Sequence, residues 1–217
     1  MKDYQRDFIE FCLANDVLRF GSFTLKSGRV SPYFFNAGLF NTGKSITSIG
    51  GFYAAAIRDQ GFKYDVLFGP AYKGIPLVVA SSIALYNEHQ VDAPYSFNRK
   101  EKKDHGEGGN IVGSPLEGEI LVVDDVITAG TAINESIQMI KSSKASLCGV
   151  IVAVDRAEIA PDGSGKSAIQ AIQEQNNIPV RAIITMDHII EFMTEKGTYG
   201  NELEMMKAYK AQYGVKQ

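Results

Sequence analysis

The chain has 217 residues, 45% hydrophobic and 22% charged, which suits one compact globular domain. Its formal net charge of -3 argues against nucleic acid as the main partner, because proteins that bind it are usually basic. Cys12 and Cys148 lack the spacing of a disulfide framework or a metal site, and no apolar run approaches the roughly 20 residues of a membrane span. We therefore expect a cytoplasmic protein without membrane contact.

Hydrophobic periodicity predicts the elements in chain order. Helices are predicted before Gly21 and over 46–57, 75–86, 133–140, 167–175, 188–196 and 201–213, and strands over 65–68, 93–97, 120–123, 147–154 and 180–185. The charged and then glycine-rich segment 99–118 is predicted to be a loop. Because strands alternate with helices from residue 46 to 196, we predict a single α/β domain over 1–217. Its central sheet is expected to be mostly parallel, with helices on both faces.

The segment from Leu121 to Ala132 (LVVDDVITAGTA) joins a strand, two carboxylates and a turn of small residues that opens a helix. Ligands of such sheets bind beyond the carboxyl ends of the strands, and amides at a helix start attract anions. A phosphate in the turn, with Asp124 and Asp125 facing hydroxyls or a metal ion, would suit a phosphorylated sugar. Alternatively, the aspartates only cap the next helix. The segment is neither a Walker loop nor a dinucleotide fingerprint.

This segment resembles the phosphoribosyl-pyrophosphate (PRPP) motif of type I phosphoribosyltransferases, which combines apolar residues, two acidic residues and a threonine/glycine turn. The resemblance implies the fold of that family and PRPP as the phosphoribosyl donor. Asp124 and Asp125 would bind the ribose hydroxyls, and Thr128 to Ala132 would hold the 5-phosphate. The PRPP contacts implied along the motif are Asp124, Asp125, Val126, Ile127, Thr128, Ala129, Gly130, Thr131 and Ala132. The motif does not identify the acceptor base.

The segment RKEKKDHGEGG begins at Arg99 and places four cations within five residues. Cations on a glycine-rich hinge suit the capture of a polyanion such as pyrophosphate. A solvated loop is the alternative, and the lack of interleaved aromatics disfavours a nucleic-acid patch. The segment resembles the flexible catalytic loop of orotate phosphoribosyltransferases, here 99–118. This implies a homodimer in which Arg99, Lys103 and His105 act across the interface, with Lys100 on the same ligand.

The segment TLKSGRVSPYFFN resembles the base-binding hood of the same family, here residues 1–40. The resemblance implies that Lys26 contacts the ligands and that Phe34 and Phe35 pack on the orotate ring, with Thr128 as a further orotate contact. An aromatic platform beside cations suits a planar anionic heterocycle. Judged by residue type alone, both phenylalanines are core residues.

Two further strand ends carry cations. The turn GPAYKG follows a strand and opens a helix, so its amides and Lys73 suit pyrophosphate. The resemblance adds Tyr72 to the PRPP contacts and implies a cis peptide before it. Arg156 ends another strand, where it pairs with Asp155 or Glu158 or simply lies at the surface. The resemblance implies that its planar fork binds the orotate carboxylate.

The whole pattern implies transfer of the phosphoribosyl group from PRPP to orotate, giving orotidine 5'-monophosphate and pyrophosphate, a step of pyrimidine biosynthesis. The expected catalytic residues are Lys26, Lys103, Asp124 and Asp125. Mg²⁺ is the implied cofactor, bound mainly by PRPP and water without direct protein ligands. Two alternatives stay open: a purine or uracil phosphoribosyltransferase, which would lack the base-binding set, and a PRPP-sensing regulator with a DNA-binding element or a broken loop.

Overall fold

A computed structural model describes residues 1–25, 27–103, 109–127 and 130–215, and gives the backbone alone at 102, 103 and 109. The predictions for Lys26, His105, Thr128 and Ala129, and for the Lys103 side chain, therefore lie outside the described residues. Within those described, no helix is both long and apolar enough to cross a membrane.

Seven α-helices and eight strands make up the described chain. The helices are α1 (Asp3–Ala14), α2 (Gly43–Gln60), α3 (Gly74–His89), α4 (Thr131–Ser142), α5 (Ala168–Asn176), α6 (Met186–Lys196) and α7 (Gly200–Tyr213), with a 3-10 turn at Ala37–Leu39. The strands are β1 (Leu18–Thr24), β2 (Val30–Phe35), β3 (Val66–Gly69), β4 (Tyr95–Lys103), β5 (Gly109–Gly113), β6 (Glu117–Val126), β7 (Lys144–Asp155) and β8 (Val180–Thr185). Each predicted helix and strand has a counterpart here.

Six strands form the central sheet in the order β5-β4-β3-β6-β7-β8. Neighbouring strands are parallel except β4 and β5, which form an antiparallel hairpin. The predicted α/β class with a mostly parallel sheet is therefore confirmed. Strands β1 and β2 form a separate antiparallel pair, in the region predicted to be an N-terminal hood.

The central strands bury side chains on both faces of the sheet. Leu121 and Val123 of β6 pack into one core with residues of α1, α2, α3, α6 and α7. Ile120 and Val122 pack into a second core with residues of α4 and α5. Because side chains alternate along a strand, a parallel strand covered on both faces is apolar along its length. The two-layered burial explains why this strand could be recognised in the sequence.

The segment 99–118, which the resemblance implied to be a flexible catalytic loop, forms strands over most of its described part. Strand β4 continues to Lys103, and β5 returns antiparallel to it from Gly109. Charged residues gave no strand signal there, because β propensity depends on packing neighbours. Strand β5, which carries no charged residue, lies at the edge of the sheet. The cations of this segment thus begin on a two-stranded arm.

Candidate active site

The turn between β3 and α3 is closed by two glycines in contact. A Cβ on Gly69 would lie 2.2 Å from the carbonyl oxygen of Gly74, and a Cβ on Gly74 would lie 3.0 Å from the carbonyl oxygen of Val123. Only glycine permits this approach at both positions. The Ala71–Tyr72 peptide is cis, as the resemblance implied. The turn leaves the side chain of Tyr72 72% exposed at the carboxyl edge of the sheet.

Asn98, on β4, was not recognised from the sequence as part of this region. Its side chain is buried, and its Oδ1 accepts a hydrogen bond from the Ala71 backbone N–H at 2.8 Å. Its Nδ2 donates to the Arg99 carbonyl oxygen at 3.3 Å. Asn98 therefore ties the turn after β3 to the base of the cationic arm. No local pattern marks it, since the contact joins two distant segments.

Asp124 and Asp125 lie at the end of β6 and are both 7% exposed. The Nζ of Lys73 lies 2.7 Å from Oδ2 of Asp125, so the turn after β3 and the end of β6 meet as predicted. The hydroxyl of Tyr53, on α2, donates to the Asp124 carbonyl oxygen at 2.7 Å. This hydrogen bond holds the end of β6 against α2. The site thus combines two carboxylates with one ammonium group.

The two carboxylates differ in their electrostatic environment. Burial, and after it the negative charge of Asp125, raises the pKa of Asp124 to about 7. The ammonium group of Lys73 favours the charged form of Asp124, but it contacts the other carboxylate. Among the described residues, the pair therefore has one cation for two potential negative charges. Hydroxyl donors or a second cation would favour full ionisation.

The helix α4 begins directly after the predicted phosphate turn. Its N-cap is Gly130, in the left-handed conformation at φ 73°, and a glycine has no side chain with which to cap the helix. Among the described residues, no hydrogen bond joins Asp124 or Asp125 to α4; each Oδ1 accepts from the backbone N–H of the next residue. The interpretation of the aspartates as helix caps is therefore wrong. The first turn of α4 keeps amides that suit an anion.

The remaining residues of the PRPP motif contribute in different ways. Ile127 is buried in the core beneath α4 and α5, and Val126 packs against the opposite core. Only their backbone groups are therefore placed to face a ligand. Thr131 is exposed and Ala132 half-buried at the start of α4. Thr131 also lines an open cleft of about 710 Å³ beside the arm.

An ion pair joins the described part of the cationic arm to α4. The Nζ of Lys100 lies 3.1 Å from Oε2 of Glu135. Arg99 and Lys100 line the same cleft as Thr131. The structure therefore brings the start of the arm next to the predicted phosphate turn.

The two phenylalanines of the predicted orotate platform occupy different environments. Phe34 stacks on Phe23 with ring centroids 5.5 Å apart, whereas Phe35 packs on Phe40 and the main core. Consecutive residues of a strand point to opposite faces. Phe35 thus matches the core interpretation, and Phe34 is the ring that lies outside the core clusters.

Arg156, at the end of β7, meets the N-terminal hairpin. Its guanidinium lies 4.4 Å from the ring centroid of Tyr33, and Nη2 donates to the Ser31 hydroxyl at 3.1 Å. Nη2 also lies 2.6 Å from Oε1 of Glu158. The sequence left the partner of this arginine open; it is Glu158, and the carboxylate of Asp155 accepts from a backbone amide two residues on.

The described residues contain no group of three or more histidine, cysteine, aspartate or glutamate side chains that could hold a metal ion. The two carboxylates at the end of β6 nevertheless offer oxygen donors, the type that Mg²⁺ prefers. Lys73 contacts Asp125, and a cation that arrives with a ligand would further compensate the negative charge of the two carboxylates.

A model of the phosphoribosyl transferase domain matches residues 39–180. The orotate phosphoribosyltransferase of Aliivibrio fischeri (strain MJ11) is 57% identical over 216 residues, which are 99% of this chain and 100% of that protein. The chain belongs to the orotate phosphoribosyltransferase family. A second relative in this family, from Cronobacter sakazakii, is 56% identical over the same length. The crystal structure of orotate phosphoribosyltransferase from Francisella tularensis superposes with a TM-score of 0.87 at 45% identity, covering 96% of this chain and 99% of that one.

The resemblance to orotate phosphoribosyltransferases and the predicted fold are thus confirmed. Full-length similarity to this family argues against the purine and uracil alternatives, because the match includes the predicted hood at the N-terminus. The roles of individual residues stay predictions, as do the homodimer and the metal requirement.

Proposed function

We propose that the chain catalyses transfer of the phosphoribosyl group from PRPP to orotate, giving orotidine 5'-monophosphate and pyrophosphate in cytoplasmic pyrimidine biosynthesis. The observation that carries this proposal is the meeting of Lys73 with Asp125 beside Asp124, next to the amides that open α4. Carboxylates suit ribose hydroxyls, helix amides suit a phosphate, and an ammonium suits pyrophosphate. Membership of the family supplies orotate as the acceptor.

In the proposed mechanism, a ring nitrogen of orotate attacks the anomeric carbon while pyrophosphate leaves, through a transition state with oxocarbenium character. No protein nucleophile is required. Asp124 and Asp125 hold the ribose hydroxyls, and Lys73 neutralises charge on the leaving group. Lys26 and Lys103 join Lys73 in this role by family resemblance. Catalysis then comes from orientation and electrostatic stabilisation.

The direct test is the loss of orotate absorbance on adding PRPP. Orotate should be consumed, whereas adenine, hypoxanthine and uracil should give at least about 100-fold lower turnover, because a carboxylate-binding site left unpaired penalises bases without the group. Stabilisation of the protein by PRPP without any turnover of orotate would favour the PRPP-sensing regulator instead.

Mg²⁺ is proposed as the cofactor; PRPP oxygens and water would supply most of its ligands, and Asp124 and Asp125 would be the carboxylates available to interact with its shell. When bound, it supplies positive charge that stabilises the leaving pyrophosphate. Two observations support the fit: the donors are all oxygen, and within the part of the chain that the structure describes the carboxylate pair has a single ammonium partner.

Removal of divalent metal is expected to lower turnover by about 100-fold or more, because the charge of pyrophosphate then lacks its principal counterion. The measurement is the orotate assay after dialysis against a chelator, with MgCl₂ added back to one half and NaCl of equal ionic strength to the other. Full activity in the metal-free sample would contradict the Mg²⁺ requirement.

The homodimer is supported by an exposed apolar face on α3. Ile83 is 56% exposed and Tyr86 55% exposed, and their spacing places both on one side of the helix. Tyr72, just before α3, and Tyr95, at the start of β4, are 72% and 36% exposed. Large apolar side chains exposed together on one side of a helix are typical of an interaction site. A second copy of the chain covering this face would be an isologous contact.

The double substitution Ile83→Asp, Tyr86→Asp is expected to convert the dimer to monomer, because four buried charges at a two-fold interface are strongly unfavourable. Turnover should fall by about 100-fold or more if the arm must reach a neighbouring site. Sedimentation velocity would report the mass and the orotate assay the activity.

The matched control is Asp16→Asn, an exposed substitution in the turn after α1. Full activity in a monomeric double variant would contradict the shared site, and a dimeric double variant would contradict this face as the interface.

A further inference from the structure

Glu158 forms an ion pair with Arg156, the proposed orotate-binding arginine. The Arg156 Nε–H donates to Oε1 of Glu158 at 2.9 Å, and Nη2 contacts the same oxygen at 2.6 Å. The side chains are 15% and 13% exposed, respectively. We infer that Glu158 is a positioning residue, which orients Arg156 so that the arginine presents one edge to the orotate carboxylate. The inference rests on the proposed function.

The contacts of Arg156 leave one orientation for its guanidinium. Glu158 occupies the edge formed by Nε and Nη2, and the Ser31 hydroxyl accepts a further hydrogen bond from Nη2. The Tyr33 ring covers one face of the group. The buried Tyr209 hydroxyl lies beside Arg156 and Glu158. Among the described residues, no direct hydrogen bond to Nη1 is found, so its N–H groups are left to donate to a planar carboxylate in the plane of the guanidinium.

The carboxylate of Glu158 is itself shared between two arginines. Oε1 faces Arg156, and Oε2 lies 4.0 Å from Nη1 of Arg29. Two arginines and one glutamate retain one net positive charge at this place. Glu158 thus fixes the direction of Arg156 without cancelling the charge that would attract an anionic base.

The backbone around Glu158 is held by the C-terminal segment. Glu158 forms an isolated β-bridge with Gly214, the Ile159 N–H donates to the Tyr213 carbonyl oxygen at 2.8 Å, and the Val215 N–H donates to the Ala157 carbonyl oxygen at 2.9 Å. The guanidinium of Arg29 lies over the Tyr213 ring and donates to the Ile159 carbonyl oxygen at 2.8 Å. Three separated parts of the chain therefore converge to place one carboxylate.

Stability alone is a weak explanation for this arrangement. A buried ion pair often contributes little net stability, because desolvation of both charges offsets their attraction. Its directional contacts, by contrast, remove the rotational freedom of the arginine before substrate arrives. Preorganisation of this type increases affinity by lowering the ordering cost at binding.

The test is a comparison of Glu158→Ala and Glu158→Gln in the orotate assay. Loss of the carboxylate in Glu158→Ala should raise the KM for orotate by about tenfold, with kcat and the KM for PRPP changed less than about twofold. Glu158→Gln keeps an oxygen acceptor for Arg156, so it should recover at least part of the affinity. Equal effects on both substrates, or an unchanged KM for orotate, would overturn the inference.

A double-mutant cycle with Arg156→Ala separates positioning from a general structural role. If Glu158 acts through Arg156, the double variant Arg156→Ala, Glu158→Ala should have the orotate KM of Arg156→Ala alone. Additive increases would overturn the inference. The control is Glu204→Gln, which removes the same charge from an exposed ion pair on α7 and should leave every parameter unchanged.

The cycle also distinguishes this inference from the proposed function. A wild-type protein that does not consume orotate refutes the proposed function itself. If Arg156→Ala consumes orotate with an unchanged KM for orotate, the role of that arginine is refuted, and with it the role of Glu158. The proposed reaction would still stand.

Discussion

Asp124→Asn is expected to lower turnover by about 100-fold and, at neutral pH, to make the folded protein more stable. The activity falls because an amide replaces a charged acceptor for the ribose hydroxyls. The stability rises because burial opposes the charge of this carboxylate: its pKa is raised to about 7. The amide keeps an oxygen for the hydrogen bond from the Asp125 N–H, now at 2.9 Å. Function thus selects a charge that the fold itself disfavours.

The sign of the pH dependence follows from the direction of the shift. A carboxyl group whose pKa is higher in the folded state binds more protons there than in the unfolded chain, so stability falls as pH rises from about 4 to about 7. Asp124→Asn has no carboxyl group at this position, so it does not lose this stability as the pH rises. Its advantage over the wild type should therefore be small near pH 4 and reach about 4 kcal/mol above pH 7, because the pKa of Asp124 in the folded wild type lies about three pH units above its ordinary value. This corresponds to a rise in Tm on the order of 10 °C. Calorimetry across this range measures the difference.

The matched control for this experiment is Asp92→Asn, an exposed carboxylate before β4. It should change neither Tm nor turnover beyond the error of measurement. If Asp124→Asn were less stable than the wild type at pH 8, the carboxylate would be stabilised as an anion in the free protein. That result would contradict the assignment of the raised pKa to uncompensated burial.

The fold could be predicted wherever a pattern is local. The apolar run at 120–123 indicates a buried strand because helices cover both of its faces. The arm formed by β4 and β5 could not be predicted in this way. The charged residues of β4 follow no simple hydrophobic period. The pairing of β4 with β5 depends on two segments that carry no strand signal separately.

The candidate site follows the same rule. Asp124, Asp125 and Lys73 each follow a parallel strand, and the carboxyl ends of parallel strands share one edge of the sheet. Their proximity was therefore predictable. The contribution of Asn98 was not, because its buried contact with the turn after β3 joins segments 27 residues apart. Nor could the sequence choose between Asp155 and Glu158 as the partner of an arginine.

The N-terminal hairpin shows a third type of limit. Phe34 and Phe35 were expected to act together, but they lie on a strand and point to opposite faces. The strand itself gave little signal, since Pro32 disfavours sheet interiors and is tolerated only at an edge. With two strands alone in this sheet, both strands are edges. Proline is therefore compatible with the observed hairpin.

Mixing two inactive variants is expected to restore about one quarter of wild-type activity. One subunit carries Lys103→Ala in the arm, and the other carries Asp124→Asn with Asp125→Asn. If the arm acts across the dimer, a heterodimer has one site with both defects and one site with neither. Random association makes about half of the dimers heterodimers, each with one of two sites intact. The expected recovery distinguishes this arrangement from an arm that serves its own subunit, which leaves no intact site.

The experiment requires exchange of subunits by mild denaturation and refolding, with a different affinity tag on each variant. Sequential purification over both tags isolates the heterodimer, whose activity should then rise to about half that of the wild type. Wild-type protein carried through the same steps controls for losses in refolding. Because each parent is defective in a different element, contamination by homodimers adds no activity. A purified heterodimer without orotate turnover would show that arm and carboxylates must belong to one chain, and the α3 face would then need a reason other than catalysis to form a dimer.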